Sequence, residues 1–257
     1  KLILGLESFY DILTSIEKLG QVVDKPLESQ TGEQPEFQSL TLELNNVSYL
    51  VDERNEPILS NISLQISPKD RLLITGESGS GKSSFLQLIG GIIEPTSGTI
   101  FTNNLSLKSL NINHFRSNLG LSLSEETPFE GSLKENITFG NKTITDDVIY
   151  DVMDAIGLSE FLKNQPNGLQ TQLKPEGKQI PFTIAKKIIL ARAIVKRPKL
   201  LILEDPLDQF NQVETRKIID FLTREDQPWS IVVVSSNPIW KEKCNRYLTL
   251  KKGSIKA

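Results

Sequence analysis

The chain has 257 residues, of which 38% are hydrophobic and 24% are charged, and its formal net charge is -3 with a pI near 5.5. This balance is typical of a globular protein and leaves no basic excess to hold a nucleic-acid backbone, so nucleic-acid binding is disfavoured. The single cysteine, Cys244, excludes an intrachain disulfide, and no apolar run approaches the ~20 residues that a membrane-spanning helix needs.

The first part of the chain predicts a helix and a linker. Apolar residues recur at helical spacing over residues 1–23, with charged residues between them, which indicates an amphipathic helix. Residues 24–36 carry two prolines and a glycine among polar residues and are typical of a linker. We therefore expect a domain boundary between 1–36 and 37–257. Because the chain begins with Lys1 and not with Met, we also expect it to be part of a longer protein.

The domain itself begins with strands. Two stretches of alternating apolar and polar residues, 40–49 and 58–66, predict a small antiparallel sheet. A short apolar strand at 71–75 then leads into a glycine-rich segment, and a helical stretch begins at Lys82. The remaining chain predicts strands at 98–102, 119–124, 200–203 and 230–234, a helical stretch over 145–165 with Gly157 as its C-terminal cap, helices at 183–195 and 212–224, and a closing hairpin at 247–255. This alternation predicts a largely parallel α/β core with a helical subdomain at about 125–195.

The glycine-rich segment between strand and helix fits the phosphate-binding P-loop. Its glycines let successive backbone N–H groups turn toward a polyphosphate, and the helix N-terminus adds partial positive charge. Lys82 supplies a cation for the terminal phosphates, and Ser83 offers a hydroxyl to Mg²⁺. A glycine- and serine-rich turn without a ligand is the alternative, but it gives no reason for Lys-Ser at this spacing. The predicted nucleotide-binding residues are Gly76, Glu77, Ser78, Gly79, Ser80, Gly81, Lys82, Ser83 and Ser84.

The order of motifs from about residue 40 to 255 resembles the nucleotide-binding domain of an ATP-binding cassette (ABC) transporter. Besides the P-loop, the resemblance is carried by Asn46-Val47-Ser48-Tyr49, residues 129–137, Leu190-Ala191-Arg192-Ala193, and Arg197-Pro198-Lys199 before strand 200–203. It implies a P-loop NTPase (RecA-like) core with an N-terminal antiparallel β-subdomain and an α-helical subdomain. It also implies ATP and Mg²⁺ as ligands.

The resemblance also implies partners and a location. In this family ATP lies between two cassettes, so we expect a second nucleotide-binding domain in a homo- or heterodimer. Residues 1–36 resemble the segment that joins the last membrane helix of an ABC exporter to its cassette. We therefore expect transmembrane domains as partners, and a location at the cytoplasmic face of a membrane, namely a bacterial inner membrane, as part of a membrane protein.

Several positions depart from the family pattern. Ser124 lies where the family has the Gln that reaches Mg²⁺ and the attacking water, and Ser236 lies where a His contacts the terminal phosphate. The segment Ile180-Pro181-Phe182-Thr183-Ile184 replaces the glycine-rich signature. Its proline lacks an N–H, and the two residues that follow are bulkier than glycine, which predicts a poor phosphate clamp.

The acidic pair at the end of strand 200–203 is inverted. The family has Asp and then the catalytic Glu, whereas this chain has Glu204 and then Asp205. Glu204 would hold Mg²⁺ through water, and Asp205 is the candidate base with a side chain one methylene shorter. Val51 lies where an aromatic residue stacks on adenine, and Tyr49, on the same strand face, is the possible substitute. The alternative for Glu204 and Asp205 is an acidic pair between strand and turn without a catalytic role. The alternative for Ser124 and Ser236 is that they are ordinary polar loop residues.

These features predict a degenerate exporter cassette. It would bind Mg-ATP and couple closure of a cassette dimer to transport, with hydrolysis weak or lost. Two alternatives stay open at the sequence level. One is a slow but active ATPase that uses Asp205 as its base. The other is a nucleotide-dependent interaction or scaffold protein without a transport role.

Overall fold

The computed structural model describes residues 2–24, 28, 30–51, 56–207 and 209–256. The chain forms two compact units, Lys1–Thr31 and Gly32–Ala257. In chain order the strands are β1 (Leu42–Tyr49), β2 (Leu59–Ile66), β3 (Arg71–Thr75), β4 (Ser97–Thr102), β5 (Leu105–Ser106), β6 (Leu119–Ser122), β7 (Gly131–Ser132), β8 (Gln172–Leu173), β9 (Leu200–Glu204), β10 (Ser230–Val234), β11 (Arg246–Lys251) and β12 (Ser254–Lys256). The helices are α1 (Leu2–Val23), α2 (Lys82–Ile89), α3 (Ile112–Ser117), α4 (Leu133–Thr138), α5 (Asp146–Ala155), α6 (Ser159–Lys163), α7 (Phe182–Ile194), α8 (Gln212–Leu222) and α9 (Pro238–Lys243).

The first unit contains α1, which confirms the helix predicted for this part of the chain, apart from Lys1, which lies outside the described residues. Large apolar side chains of this helix, among them Phe9, Leu13 and Ile16, are exposed. None of the helices in the described ranges is both long and apolar enough to cross a membrane.

The second unit begins before the end of the predicted linker. Glu33 forms a parallel bridge with Leu110, and Nε2 of His114 lies 2.7 Å from the carbonyl oxygen of Pro35. These contacts tie residues 33–35 to the second unit. The functional division of the chain at residue 36 stays a prediction.

Two sheets form the body of the second unit. The predicted antiparallel sheet is confirmed and has four strands in the order β2-β1-β4-β5. The other sheet has six strands in the order β12-β11-β3-β10-β9-β6, and all neighbouring pairs except β11-β12 are parallel. The predicted closing hairpin is therefore present, and its first strand also joins β3. This mixed α/β architecture confirms the predicted fold class.

The central parallel strands are buried on both faces, as their apolar sequences predict. Side chains alternate along β3, so that Leu72 and Ile74 join one apolar cluster and Leu73 joins another. The first cluster includes residues of the antiparallel sheet and of α2, among them Phe85. The second includes residues of α5, α7 and α8, among them Ile188. The parallel sheet thus lies between two apolar layers, which position the ends of its strands.

The segment between β6 and β9 contains the helices α4, α5, α6 and α7. Gly157 follows the end of α5 at φ 71°, a conformation that glycine adopts without strain, and the short α6 comes after it. The strand predicted to reach residue 124 ends at Ser122, so Ser124 lies in the turn beyond it. That turn lies at the carboxyl edge of the parallel sheet, where open α/β sheets bind ligands.

Candidate nucleotide-binding site

The loop between β3 and α2 has a backbone that only glycine fits at two positions. A β-carbon on Gly76 would lie 2.3 Å from the carbonyl oxygen of Leu250, and one on Gly81 would lie 2.9 Å from that of Ile58. Gly81, at φ 96°, is also the residue from which α2 begins. Gly79, at φ 76°, differs because a β-carbon there would meet no atom within 4 Å. The loop is held against the body of the domain on one side and is open at Gly79.

The side chain of Lys82 lies against the backbone of the P-loop itself. Nζ of Lys82 donates hydrogen bonds to the carbonyl oxygens of Gly76 at 2.9 Å and Glu77 at 2.8 Å. Ser80 is buried, and the backbone carbonyl oxygen of Ser80 accepts a hydrogen bond from the N–H of Gly253 at 3.1 Å. The ammonium is therefore held at the loop, where a phosphate oxygen would give it a charged acceptor in place of neutral carbonyls.

A cleft of about 380 Å³ opens beside this loop. It brings the P-loop together with the carboxyl ends of β9 and β10, which are far away in sequence. The residues that line it are Ile58, Ser78, Gly79, Gly81, Lys82, Ser83, Ser84, Glu204, Asp205 and Val234. Most of the predicted P-loop residues and both predicted acidic residues therefore share one cavity.

The carboxylate of Glu204, only 8% exposed, connects the P-loop to the turn after β6. Its Oε1 accepts a hydrogen bond from the Ser83 hydroxyl. Its Oε2 accepts two from Ser124, one from the backbone N–H at 3.2 Å and one from the hydroxyl at 3.0 Å. The structure thus joins Ser83, Glu204 and Ser124, three residues that the sequence assigned to metal-binding and catalytic positions.

Asp205 lines the cleft and is exposed. Its backbone N–H donates to the carbonyl oxygen of Val234 at 2.9 Å, and its φ is 40°. This left-handed conformation is uncommon for a residue with a β-carbon. The chain therefore turns sharply at Asp205, directly after the buried Glu204.

Several predicted site residues lie outside the lining of the cleft, namely Gly76, Glu77, Ser80, Ser124, residues 180–184, Tyr49, Val51 and Ser236. Tyr49, at the end of β1, is partly buried and packs against the apolar cluster that contains Phe85. Val51 follows it and is exposed, and Ser236 is exposed beyond the end of β10. The predicted roles of Tyr49, Val51 and Ser236 stay predictions.

The segment at the signature position leads into α7. Pro181 precedes the helix, and Phe182, its first residue, is 49% exposed. Nζ of Lys186 lies 5.5 Å from the centre of the Phe182 ring and donates to the carbonyl oxygen of Ser124 at 2.7 Å. The sequence did not single out Lys186, since no local pattern indicates that a lysine of α7 reaches the turn after β6.

A larger cavity, of about 710 Å³, lies among α5, α6, α7 and α8. The buried ammonium of Lys187, which lines it, donates to the carboxylate of Glu214 and to the carbonyl oxygen of Gly157 at 2.7 Å. Its cation is thus already paired, and this cavity contains none of the predicted nucleotide-binding residues. We therefore place the candidate site at the smaller cleft.

The residues of the cleft fit a nucleoside triphosphate with Mg²⁺. The open left-handed loop, the ammonium of Lys82 and the N-terminus of α2 together match a polyphosphate chain. The hydroxyl of Ser83 and the carboxylate of Glu204 are oxygen groups of the kind that Mg²⁺ prefers, and they would hold it directly or through water. No cluster of three or more histidine, cysteine or acidic side chains suited to a metal occurs in the described ranges.

Comparisons with known proteins agree with this geometry. A family model described as ABC transporter matches residues 59–208. The multidrug resistance protein sirA of Leptosphaeria maculans is 27% identical over 248 residues, which are 94% of this chain and 20% of that protein. The ATP-dependent permease MDL1 of Candida albicans is 27% identical over 241 residues, which are 91% of this chain and 35% of that protein.

A solved structure shows the same fold. It is a bacterial Atm1-family ABC exporter with ATP bound, with a TM-score of 0.85 and 17% identity over 95% of this chain and 43% of that chain. The present chain therefore spans less than half the length of each of these three proteins.

Proposed function

Because this chain belongs to the ABC transporter family and has the fold of its nucleotide-binding domain, we propose that it binds Mg-ATP and couples cassette closure to transport by an exporter. Membership of the family implies ATP as the ligand. We further propose that Mg²⁺ binds together with ATP, and that Ser83 holds it directly and Glu204 through water. The observation that carries the proposal is the P-loop, which presents Lys82 and Ser83 to a cleft shared with both acidic residues.

The proposed partners are a second nucleotide-binding domain, identical or different, and transmembrane domains. Two observations support membrane domains. The chain spans only 35% of a relative described as an ATP-dependent permease, and α1 exposes large apolar side chains such as Ile16. We place the domain at the cytoplasmic face of a membrane, the inner membrane in a bacterium. We propose this location because the domain needs ATP, which must be available on the side of the membrane where the domain lies.

Hydrolysis is proposed to be weak or lost. A general base contributes about 10²–10⁴ to a rate, and a misplacement of ~1 Å in the site can cost about 10². Asp205, the candidate base, is short and lies on a left-handed turn. Glu204 is engaged by serine hydroxyls, and the bulky Phe182 begins α7, where the family has a glycine-rich phosphate clamp. ATP binding depends on groups other than these catalytic positions, so we propose that it survives their replacement.

A slow ATPase is the second candidate function. The observation that favours it is the position of Asp205, which lines the same cleft as Lys82 and Ser83. In that reaction Asp205 would accept a proton from the attacking water while Lys82 and the loop amides stabilise charge on the phosphate. Turnover of ATP that depends on the carboxylate of Asp205 would separate this candidate from a domain without hydrolysis.

Calorimetry of Mg-ATP binding tests the proposed function. The wild-type chain should bind, and Lys82→Ala should weaken binding by at least about tenfold, because it removes the charged partner of the terminal phosphates. Lys142→Ala is the matched control, since Lys142 is an exposed lysine outside the cleft, and it should bind as the wild type does. A wild-type chain without affinity for ATP would overturn the proposal.

A further inference from the structure

A cavity of about 300 Å³ lies at the amino edge of the parallel sheet, where β3 begins and α8 ends. The P-loop follows the opposite end of β3. Three cationic side chains line the cavity, those of Lys69, Arg71 and Arg224. We infer that it binds a phosphate dianion, either free or as the phosphate group of a small organic monoester. This inference goes beyond the proposed function, since it involves neither the P-loop nor its nucleotide.

The charge of the lining favours an anion. Among the described residues, the lining contains three cations and one carboxylate, that of Glu225, whereas the whole chain has a net charge of -3. Asp226 lies 3.2 Å from the guanidinium of Arg224, but both side chains are exposed and such a pair is weak in water. Even with Asp226 counted, the site stays positive. A local excess of positive charge attracts a dianion more strongly than a monoanion.

Arg71 supplies the cation that most lacks a charged partner. It is half-buried, and it forms no ion pair with a carboxylate in the part of the chain that the structure describes. Its Nη1 donates to the carbonyl oxygen of Thr223 at 2.9 Å, and its Nε is buried without a hydrogen-bond partner. Charged groups withdrawn from water are normally paired, because their desolvation is costly. A phosphate oxygen would give this guanidinium the charged acceptor that it lacks.

Lys69 and Asn245 bring further donors to the cavity. Nζ of Lys69 donates to the carbonyl oxygen of Glu225 at 3.3 Å and to that of Gln227, which are both neutral acceptors. An ammonium has three N–H donors, so one stays available. Oδ1 of Asn245 accepts from the backbone N–H of Arg71 at 2.9 Å, which leaves its amide N–H groups for a ligand. These donors already close the end of α8 and can also serve an anion.

The size and the walls of the cavity fit a compact ligand. Its volume is at the lower limit of ordinary small-molecule sites, which is about 300 Å³. A phosphate monoester carries about 1.5–2 negative charges at pH 7, and guanidinium groups bind its oxygens in pairs. The buried apolar residues Leu222, Trp229 and Ile231 also line the cavity. They would contact the organic part of a monoester.

Nuclear magnetic resonance of the isotope-labelled chain tests the site, because the chain has two tryptophans and only Trp229 lines the cavity. Titration with inorganic phosphate at constant ionic strength should shift the indole N–H resonance of Trp229. The resonance of Trp240, which is fully buried outside the lining, should stay in place. Lys82→Ala should keep the shift of Trp229, which separates this site from phosphate binding at the P-loop. Glycerol phosphate should also bind, and acetate should bind more weakly.

Substitutions in the lining test the role of charge. Arg71→Gln should weaken phosphate binding by about tenfold or more, because it removes a half-buried charged donor. Arg224→Gln changes an exposed side chain, so the fold should be intact, and binding should weaken by about threefold. Glu225→Gln removes the opposing charge and should strengthen binding. Lys142→Ala, an exposed lysine outside the lining, is the control and should bind as the wild type does.

Two results would overturn the inference. One is a Trp229 resonance that does not respond to phosphate or responds equally to acetate, and the other is unchanged affinity in both Arg71→Gln and Arg224→Gln. Tighter binding of glycerol phosphate than of inorganic phosphate would identify a monoester as the ligand, and the reverse would identify the free ion. Either order supports a phosphate site. All of these readouts are independent of ATP, so they leave the proposed function as it stands.

Discussion

Gly76 approaches the backbone of Leu250 so closely that a β-carbon on Gly76 would lie 2.3 Å from the Leu250 carbonyl oxygen. Leu250 belongs to β11, the strand next to β3 in the parallel sheet, so the start of the P-loop is packed against the sheet that carries it. The neighbouring hydroxyl of Ser80 would lie 2.7 Å from the same β-carbon. The loop cannot accept a side chain at this position without moving backbone atoms.

Gly76→Ala should therefore destabilise the domain more than Gly79→Ala. At Gly79 a β-carbon meets no atom within 4 Å, so the cost is that of a left-handed residue, about 1–2 kcal/mol. For a domain of this size such a cost lowers the melting temperature by roughly 2–8 °C, and Gly76→Ala should lower it further. Thermal unfolding followed by circular dichroism measures both. Equal shifts in the two variants would show that the loop moves freely away from Leu250.

The wild-type domain should release phosphate from ATP slowly or not at all. If Ser124 and Ser236 replace the family's Gln and His and Asp205 is a poorly placed base, as we propose, each change removes stabilisation of the transition state. A phosphate-release assay measures turnover, with Lys82→Ala as the comparison for contaminating ATPases, because that variant lacks the ammonium that would stabilise charge on the terminal phosphate. Clear turnover in the wild type that disappears in Asp205→Asn would favour the slow ATPase and contradict a domain without hydrolysis.

The elements that sequence patterns predicted well are those with local signals. The apolar run before Gly76, the glycines of the P-loop and the alternation over residues 40–66 each depend on neighbouring residues, and the structure has the expected strands and helix there. The parallel strand at residues 230–234 was equally predictable from the sequence, because a strand that is buried on both faces is continuously apolar.

The contacts that sequence patterns did not predict are those between distant segments. The bond between Ser124 and Glu204 joins residues that are 80 positions apart, and the bond from Lys186 to Ser124 joins residues that are 62 positions apart. No periodicity or turn residue encodes such a pair, since it exists only after β6, β9 and α7 have packed together. The motif pattern indicated the position of Ser124 but not its partner.

Cys244 should resist thiol reagents in the folded protein. Burial raises the pKa of its thiol to about 12, and the nearby guanidinium of Arg71 offsets only part of this shift. At pH 8 the reactive thiolate would then be about one in ten thousand of the population. A colorimetric thiol assay should detect no fast-reacting cysteine in the native protein and one after denaturation. Rapid labelling of the native protein would show that the segment after α9 opens readily.

The capping box at the start of α4 should make stability depend on pH. Oε2 of Glu135 accepts hydrogen bonds from the hydroxyl and the backbone N–H of Ser132, both at 2.7 Å. These bonds hold the pKa of the Glu135 carboxyl below its usual value. The stabilisation is therefore fully present above the unfolded pKa and is lost as pH falls through the lowered folded value.

Glu135→Gln should accordingly have a lower melting temperature than the wild type at pH 7, because the neutral amide forms weaker hydrogen bonds and lacks the favourable charge at the helix N-terminus. The difference should shrink as the pH falls through the lowered folded pKa of the Glu135 carboxyl, because the wild-type carboxyl then also becomes neutral. Glu130→Gln, an exposed glutamate of the same loop outside the capping box, is the control for a general effect of net charge. A difference between wild type and Glu135→Gln that stays constant from pH 7 to pH 3 would show that the charge of Glu135 contributes nothing to the cap.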